Sequence, residues 1–394
     1  MTSIVLYFQV HQPYRVRAYP HDAIGRRHDY YDDWLNEDVA KRVSELCYLP
    51  MNRVLLDAIE ASDGAFKCAF SISGTALRQL ESWAPEVLDS FRALEATGSV
   101  EFLCETSQHS LAALADPEEF RAQVGEQRAL LSRLLGVTPT SFRNTELIVD
   151  ANVARQVRDL GFEVLLGEGA DQLLGERTPQ ALYGMAGADG FPLLLRDYTF
   201  SDDIAFRFSN TSWDAYPLFA PTFVEWLEAL PEERPFVGLF MDYETFGEHQ
   251  PKDTGVFEFM AAFTELARAT DRLDFATPRD IVRREPVVEH LHYPRPISWA
   301  DEERDLSAWL GNHMQRAAHE AIYALGPAAR ACGDPELLQT WRDFTTSDHV
   351  YYMSTKFASD GDVHEYFSPY DTPHDAFLTV MNATEDLGRR LGVH

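Results

Sequence analysis

The stretch FVGLFMDYETFGEHQ, residues Phe236 to Gln250, decides the fold. Its first six residues are continuously apolar, which is typical of a strand that is covered on both faces in a parallel sheet. Three acids, Asp242, Glu244 and Glu248, follow within seven positions. A buried strand that ends in carboxylates predicts a functional site at the carboxyl-terminal edge of that sheet.

Six other apolar runs resemble this one, and helical patterns separate them. The predicted strands are Ile4–Val10, Phe66–Ile72, Val100–Cys104, Ser141–Thr145, Val164–Leu166, Leu193–Leu195 and Phe236–Met241, with a shorter run near Phe275. The predicted helices between them include Met51–Ala61, Pro117–Leu135, Ala151–Leu160 and Thr222–Leu230. Asp116 and Gly136 give one of these helices its start and stop signals. This alternation predicts α/β architecture with a parallel sheet, and seven or eight such units favour a barrel.

The pattern changes after about Arg284, where a Pro-rich connection leads into helical segments. A helix is predicted over Asp305–Leu325, and a last one near Asp375–Leu391. We therefore predict a catalytic barrel over residues 1–284 and a mostly helical region over residues 285–394 that contributes to the active-site face.

A long polar and aromatic stretch follows the first predicted strand. It covers Tyr14–Leu46 and includes the run RRHDYYDDW. Loops of this length are uncommon inside compact domains and are more often functional than structural. We expect an excursion from the barrel here.

Polar side chains follow four of the predicted strands. They are His11 and Gln12 after the first strand, Glu105 and His109 after the third, Arg143 and Glu146 after the fourth, and Asp242 and Glu244 after the last. The carboxyl ends of all strands lie on one face of a parallel barrel, so these side chains are expected to converge. Carboxylates with His and Arg are what acid/base and nucleophilic chemistry on a sugar requires. A single acid at a strand end is usually a helix cap or a solvated charge, so the inference depends on the whole set.

Metal chemistry is the competing enzyme class. A zinc site on a similar barrel needs ligand pairs such as H-x-x-x-H or H-x-D, whereas the one close pair, His290 and His292, lies in the Pro-rich connection. The sequence has no Gly-rich phosphate loop and no G-x-S-x-G elbow, which argues against nucleotide chemistry and serine hydrolysis. No metal and no cofactor are expected.

The formal net charge is −29. Such a field repels nucleic acid and anionic membranes, so the ligand is expected to be neutral or cationic. The apolar runs are too short to span a bilayer, and the start MTSIVLYFQVHQP is typical of a strand rather than a signal peptide, so we expect a cytoplasmic protein. Two interpretations of the charge stay open: an acidic cytosolic protein from a GC-rich genome, and a salt-adapted protein.

Four separated motifs occur in order along the chain: HQP from His11, RNTELI around Glu146, DYETFG from Asp242 and AWLGN from Ala308. Together they resemble the conserved regions of glycoside hydrolase family 57, most closely its α-amylase-like branch. The likeness runs from the first strand to DGDVHEYFSPY near the carboxyl terminus. The resemblance implies an incomplete (β/α)7 barrel, similar to a TIM barrel and followed by helices, that acts on α-1,4-glucans with retention of configuration.

The same resemblance implies roles for individual residues. By motif match, Glu146 is the nucleophile and Asp242 the general acid/base, with His11 near the reacting sugar. These two carboxyl groups must hold different protonation states at one pH. Arg143 is expected to keep Glu146 ionised, and burial is expected to raise the pKa of Asp242. Glu244, two residues after Asp242, is the rival acid.

Further side chains are predicted to contact the substrate. The candidates are His11, Gln12, Glu105, His109, Arg143, Glu244, Trp309 and Asp348. Trp309 belongs to a polar and aromatic stripe that is expected to cover the barrel mouth and to stack on a glucose ring. The opposite face of that helix is predicted to be its core face, formed by Leu306, Leu310, Met314, Ala317 and Ala321.

We therefore expect a retaining glycoside hydrolase that acts on starch, glycogen or maltooligosaccharides. A 4-α-glucanotransferase is the alternative with the same site, because both reactions use a glycosyl-enzyme intermediate. A non-catalytic glycan-binding protein is the alternative of another class. The sequence leaves chain-length preference and oligomeric state open.

Overall fold

The computed structural model describes residues 1–356 and 368–393, so most of the motif DGDVHEYFSPY lies outside the described residues. The strands are β1 (Thr2–Val10), β2 (Cys68–Ile72), β3 (Val100–Phe102), β4 (Ser141–Arg143), β5 (Val164–Glu168), β6 (Tyr183–Met185), β7 (Phe191–Arg196), β8 (Phe236–Asp242), β9 (Leu273–Phe275) and β10 (Glu289–Leu291). In the first part of the chain the α-helices span Asp33–Val43, Leu49–Ala61, Gly74–Trp83, Pro85–Ala96, Ala112–Ala115, Pro117–Leu135, Ala151–Asp159, Asp171–Leu174, Tyr198–Ala205, Ala220–Glu228, Val256–Arg268 and Pro278–Arg284. Later α-helices span Ser307–Leu310, His313–Ala324, Gly326–Ala331, Pro335–Phe344, Asp348–Tyr351 and Pro373–Arg390.

Seven strands form a barrel of parallel strands. Two arcs, in the orders β3-β2-β1-β8 and β4-β5-β7, meet at two seams. At one seam the Cys104 N–H donates to the Ser141 carbonyl over 3.0 Å, and the Arg143 N–H donates to the Cys104 carbonyl over 2.9 Å. At the other, the Asp197 N–H donates to the Gly238 carbonyl over 2.8 Å. The expected α/β fold, with seven barrel strands near the predicted positions, is confirmed.

Three short strands extend these arcs. β9 pairs in parallel with the start of β1, where the sequence predicts a run near Phe275. β6 runs antiparallel to β7, and β10 runs parallel to β6. The sequence did not predict β6 or β10, because Tyr183–Met185 is interrupted by a glycine and Glu289–Leu291 has only one apolar residue, so neither forms an apolar run.

The side chains of β1 alternate between two cores because the strand has a period of two residues. Ile4, Leu6 and Phe8 belong to the large cluster between the strands and the surrounding helices. Val5 and Tyr7 belong to a second cluster, which includes residues of β5, β7 and β8. Every residue of β1 is buried, which explains why its centre, residues 4–8, is continuously apolar rather than alternating.

The helix over Pro117–Leu135 has the ends that the sequence predicts. The Asp116 carboxylate accepts hydrogen bonds from the backbone N–H groups of Glu118 and Glu119, each over 3.1 Å. Gly136 ends the helix with φ of 74°, a conformation that glycine adopts without steric cost.

The helix predicted over Asp305–Leu325 is wrong, because two helices occupy this stretch. They are Ser307–Leu310 and His313–Ala324, and Asn312 caps the second. The Asn312 side chain accepts from the Gln315 N–H over 2.9 Å, and the Gln315 side chain accepts from the Asn312 N–H over 3.1 Å. This reciprocal capping box begins a new helix.

The predicted core face of this region is right in its first part and wrong in its second. Leu306, Leu310 and Met314 are half-buried and pack against the core of the helical region. After the break Ala317 is exposed, whereas Ala318 and Ile322 are buried, so apolar spacing that is counted through the break fails beyond Met314.

The excursion predicted over Tyr14–Leu46 is only partly loop. It contains the helix Asp33–Val43, and Asp32 caps this helix by accepting from the Leu35 N–H over 3.1 Å. The loop before this helix is bound to the carboxyl-terminal helix through Asp386, which accepts from the Gly25 N–H over 2.6 Å and bonds His28 over 2.8 Å.

The helical region packs on the barrel through buried and half-buried ion pairs. Arg342 lies 2.8 Å from Glu119, and Arg330 lies 2.8 Å from Asp116, so both reach the barrel helix Pro117–Leu135. Apolar residues of the excursion also belong to the core of the helical region. The predicted boundary at residue 284 stays a prediction. None of the helices within the described ranges is long and apolar enough to cross a membrane.

Candidate active site

A cleft of about 1330 Å³ opens at the carboxyl-terminal face of the barrel strands. Eight of the ten residues that the sequence predicts for the site line this cleft: His11, Gln12, His109, Glu146, Asp242, Glu244, Trp309 and Asp348. The other two, Glu105 and Arg143, are fully buried and interact with the residues that line it. The structure therefore brings the predicted set together.

Glu146 follows β4 in a short 3-10 turn with φ of 56° and ψ of 29°. This left-handed conformation is uncommon for a residue other than glycine, and such strain concentrates at functional sites. One carboxylate oxygen, Oε1, lies 3.1 Å from His109 Nε2, and the other, Oε2, accepts from Trp299 Nε1 over 2.7 Å. Burial alone would raise the pKa of Glu146, but the hydrogen bond from His109 and the charges of His109 and Arg143 lower it. Glu146 is held ionised.

His109 lies between two carboxylates. Its Nδ1 is 2.7 Å from Glu105 Oε2, and its Nε2 is bonded to Glu146. Burial opposes a charge on the ring, but the bonds and charges of Glu105 and then Glu146 raise the pKa of His109 to about 9. Glu105 also accepts from Gln9 Nε2 over 2.8 Å and stays ionised, because its pKa is lowered in spite of burial. A charged His109 donates to both acids and fixes the orientation of Glu146.

His11 stacks on His109, with the ring centroids 4.0 Å apart. Its Nδ1 is 2.7 Å from Ser73 Oγ, and its Nε2 is 2.8 Å from Asp348 Oδ2. Burial and then the charge on His109 lower the pKa of His11. Burial alone would raise the pKa of Asp348, but the hydrogen bond from His11 and the charge on His109 hold it well below its usual range. A neutral His11 therefore donates to an ionised Asp348.

Asp242 ends β8 and faces the cleft. Burial raises the pKa of Asp242 to about 6, and the negative charge of Glu146 adds to the effect, although Arg143 and His109 oppose it. Within the described part of the chain, no side chain is hydrogen-bonded to its carboxyl group. The carboxyl groups of Asp242 and Glu146 thus have pKa values shifted in opposite directions in one cleft.

Glu244 lines the same cleft, as its position two residues after Asp242 predicts. Its Oε1 is hydrogen-bonded to the Tyr48 hydroxyl. Burial and then the charge of Asp242 raise the pKa of Glu244 to about 8. At neutral pH Glu244 is a protonated acid that is tied to a tyrosine.

Arg143 lies beneath these acids and is inaccessible to solvent. Its guanidinium lies over the Trp299 ring, 4.8 Å from the centroid, and its three nitrogens have no hydrogen-bond partner among the described residues. As expected, Arg143 lowers the pKa of Glu146. It does so through its charge alone, and the contribution of His109 is larger.

Trp309 is more buried than the sequence predicts. Only 1% of it is exposed, and its ring is stacked on Tyr351 with centroids 5.8 Å apart. Trp309 and Tyr351 both line the cleft, and one face of the Trp309 ring is covered by Tyr351. Direct stacking of Trp309 on a sugar stays a prediction.

The sequence did not predict Trp299, which donates to Glu146 from the Pro-rich connection. The backbone N–H of Trp299 also donates to the Glu146 carbonyl over 3.2 Å, and its ring lies 5.7 Å from the guanidinium of Arg196. A single Trp without a strand, a helical period or a paired acid beside it gives no signal in a sequence.

One wall of the cleft is a network of charges that the sequence also missed. Arg196 lies 3.3 Å from Glu168 and 2.5 Å from Asp202, and Arg304 lies 3.3 Å from Glu168. Burial raises the pKa of Glu168 to about 7, although both arginines oppose this. These pairs fix the loops after β5 and β7 against the segment that carries Trp299.

A search of residues 1–356 and 368–393 finds no group of three or more His, Cys, Asp or Glu side chains that could hold a metal ion. His290 and His292 are exposed at β10.

A parallel barrel whose cleft holds two carboxyl groups with oppositely shifted pKa values has the groups that glycoside hydrolysis requires. The chain belongs to glycosyl hydrolase family 57, whose family model matches residues 5–295. It is 39% identical over 395 residues to a protein of Methanocaldococcus jannaschii named "Putative alpha-amylase", and the match covers 97% of this chain and 83% of the relative. The expected family and enzyme class, an α-amylase-like glycoside hydrolase, are confirmed.

Solved structures show the same fold at low sequence identity. The 4-alpha-glucanotransferase from Thermococcus litoralis matches with a TM-score of 0.72 and 15% identity over 99% of this chain, which spans 60% of that enzyme. A GH57 branching enzyme from Thermococcus kodakaraensis matches with a TM-score of 0.71 and 14% identity, over 98% of this chain and 90% of the enzyme. The alpha-amylase AmyC from Thermotoga maritima matches with a TM-score of 0.63 and 13% identity, over 97% and 92%.

Proposed function

We propose that this family 57 member hydrolyses α-1,4-linked glucans with retention of configuration. The observation that supports the proposal is the pair of carboxyl groups in one cleft: the pKa of Glu146 is lowered, and the pKa of Asp242 is raised to about 6. A sugar acetal needs an anion beneath the anomeric carbon and a proton at the leaving oxygen. The name of the M. jannaschii relative supports an α-glucan as the substrate.

The two carboxyl groups divide the reaction between them. In the first step the Glu146 carboxylate attacks the anomeric carbon, while Asp242 transfers its proton to the glycosidic oxygen as that bond breaks. In the second step the Asp242 carboxylate takes a proton from water, and the oxygen of this water displaces Glu146 from the sugar. Retention requires the carboxyl groups to lie about 5–5.5 Å apart, and this separation stays a prediction.

The surrounding residues prepare these two groups. His109 and Trp299 each donate to one Glu146 oxygen, which fixes the carboxylate before the substrate arrives. Arg143 adds a positive charge without occupying either oxygen. The cost of burying Asp242 raises its pKa to about 6, so this group keeps its proton to a higher pH than an ordinary Asp does.

His11, Gln12, Glu244 and Asp348 line the cleft as candidate hydrogen-bond partners for sugar hydroxyls. They offer donors and ionised acceptors around a neutral ligand, which suits a polyhydroxylated substrate. Glu105 and His109 act from beneath by orienting the nucleophile, so Glu105 is proposed as a positioning residue. The strongly acidic chain does not repel an uncharged glucan.

Incubation with maltoheptaose tests the proposal when the products are separated by size. Shorter sugars alone, with the α-anomer formed first, are the expected result. Products longer than maltoheptaose would contradict hydrolysis and indicate a 4-α-glucanotransferase. No product from the wild-type protein would favour the non-catalytic glycan-binding alternative, and Glu146→Gln serves as the inactive control.

A further inference from the structure

Three exposed aromatic rings lie close together in the sequence. They belong to the segment that joins the helices Tyr198–Ala205 and Ala220–Glu228, and they are Phe206, Tyr216 and Phe219, which are 50%, 43% and 62% exposed. Among the described aromatic side chains, only Trp34 is comparably exposed. We call the three residues the aromatic rim.

Both ends of this segment lie at the active-site face. The helix Tyr198–Ala205 begins directly after β7 ends, and Phe206, which follows it, lines the cleft. The helix Ala220–Glu228 leads back to the start of β8, so its first turn lies at the face where parallel strands end. Gln250, in the loop after β8, donates to the Ala205 carbonyl over 3.0 Å. The rim therefore continues the cleft outward.

The segment is anchored by other aromatic residues that face inward. Phe208 is buried, and its ring centroid is 5.1 Å from that of Phe259. Trp213 packs on Trp226, with centroids 6.2 Å apart, and its ring lies 5.7 Å from the Arg207 guanidinium. Phe208 and Trp213 thus fix the segment on the barrel helices, whereas the three rings of the rim keep about half of their surface open to a ligand.

We propose that the aromatic rim binds the outer glucose units of a long α-glucan chain whose inner units occupy the cleft. The apolar faces of glucose pack on aromatic rings, and an uncharged chain suffers no repulsion from the acidic protein. The three rings share one segment at the active-site face, and Phe206 lines the cleft itself, so a chain that leaves the cleft on this side would meet the other two. The proposal rests on the proposed function and adds a preference for long substrates.

The test compares long and short substrates in the double variant Tyr216→Ala/Phe219→Ala. The ratio of kcat/KM for amylose to kcat/KM for maltotriose is expected to fall about tenfold, mostly through KM, because two stacking contacts are lost. Phe219→Tyr keeps a ring and should keep the ratio. Leu266→Ala removes an exposed apolar side chain at the opposite end of the barrel and is the matched control. Thermal unfolding checks that all variants are folded.

The possible results distinguish a failure of the rim proposal from a failure of the proposed hydrolase function. An unchanged ratio in the folded double variant overturns the rim proposal, even when the wild type cleaves both substrates. If the wild type cleaves neither, the proposed function fails, and the rim is tested by retardation in native gels that contain amylose, where only the double variant should migrate freely. A wild-type dimer that dissociates in the double variant, with equal retardation, would assign the rings to a second copy of the chain and overturn the proposal.

Discussion

Glu146 is held by donors that come from distant parts of the chain. His109 follows β3, whereas Trp299 lies 153 residues after Glu146 in the Pro-rich connection. The first partner was predictable, because a polar residue that follows a buried strand has a defined place on a barrel. The second was not, since nothing in the local sequence indicates which surface an isolated Trp will contact.

The roles proposed for Glu146 and Asp242 can be separated by chemistry. With an α-glucosyl fluoride, whose leaving group needs little protonation, Asp242→Ala should form the glycosyl-enzyme on Glu146 and then stall. Added azide should enter from the side that Asp242 vacates, restore turnover and give an α-glycosyl azide, since the configuration is retained. On ordinary glucans the same variant should lose about 10²–10⁴-fold in rate. Glu146→Ala should form no covalent species in a mass spectrum of the intact protein.

Glu244 is the control for this assignment, because it lines the same cleft and also has a raised pKa. Azide rescue of Glu244→Gln, together with near-normal starch hydrolysis by Asp242→Asn, would transfer the acid/base role to Glu244.

The pH profile provides an independent test. The proton of Asp242 is present below its pKa of about 6, so kcat/KM on maltoheptaose should fall as the pH rises through about 6. It should also fall at acid pH, below the usual range of a Glu carboxyl, as Glu146 becomes protonated. With the glucosyl fluoride the alkaline limb should disappear. An alkaline limb near pH 8 would instead identify Glu244 as the acid.

Trp299→Phe tests the hydrogen bond to Glu146, the proposed nucleophile. The variant keeps a ring next to Arg143 but removes the N–H that donates to Glu146 over 2.7 Å. Losing a hydrogen bond to a charged group should lower kcat about tenfold or more and move the acidic limb of the pH profile to higher pH. A merely structural role would lower the unfolding temperature without moving that limb. Trp83→Phe, in the helix after β2, is the matched control.

At the scale of elements, the sequence predicts long barrel strands such as β5 and β8 from their apolar runs, because these strands are buried on both faces. The short strands β3 and β4 contain Glu101 and Arg143, and their prediction depends also on the helical patterns around them. Prediction from the sequence fails where one apolar pattern runs through a boundary, as it does from Asp305 to Leu325. The signal for the break was available: Asn312 followed three residues later by Gln315 is a capping-box pattern. The prediction of one helix followed the apolar spacing and passed over this capping-box pattern. The side of a helix that is buried also depends on its neighbours in the fold, which local patterns do not show.

Gly238 lies within the buried run of β8 and has a role that the pattern conceals. Its carbonyl accepts the Asp197 N–H at the seam between β7 and β8, and a Cβ atom there would overlap the carbonyl oxygen of Leu195. Gly238→Ala should therefore force the strands apart and lower the free energy of unfolding by about 1–3 kcal/mol. Urea unfolding measures this.

A second glycine provides the control for Gly238. Gly125 lies exposed inside the helix Pro117–Leu135, and a Cβ atom there would meet nothing within 4 Å. Gly125→Ala should raise the free energy of unfolding by about 0.5–1 kcal/mol. Equal effects of the two substitutions would contradict a special role of the seam.

At the scale of the whole molecule, the cleft uses residues from both predicted regions. Trp299, Trp309 and Asp348 come from residues 285–394 and meet Glu146 and Asp242 from the barrel. The sequence predicted that the helical region contributes to the active-site face, but it gave no distances, because these depend on packing between segments that are far apart in the chain. The cytoplasmic location stays a prediction.

The net charge of −29 makes the stability of the molecule depend on salt. Like charges repel most strongly when the chain is compact, and salt shortens the range of this repulsion from about 10 Å at 0.1 M to about 3 Å at 1 M. The midpoint of thermal unfolding should therefore rise between dilute buffer and molar KCl. No rise would remove the salt-adapted interpretation and leave the acidic composition as a property of the source genome.

A charge-reduced variant shows whether such a rise comes from repulsion. Glu60 and Glu265 are exposed near the carboxyl ends of the helices Leu49–Ala61 and Val256–Arg268, where a negative charge also opposes the helix dipole. The double variant Glu60→Gln/Glu265→Gln should unfold at a higher temperature than the wild type in dilute buffer, and the difference should vanish in molar KCl, because salt screens the interactions that the variant removes. A difference that persists at molar KCl would assign the gain to helix propensity or packing, and the salt response of the wild type would then have a cause other than its charge.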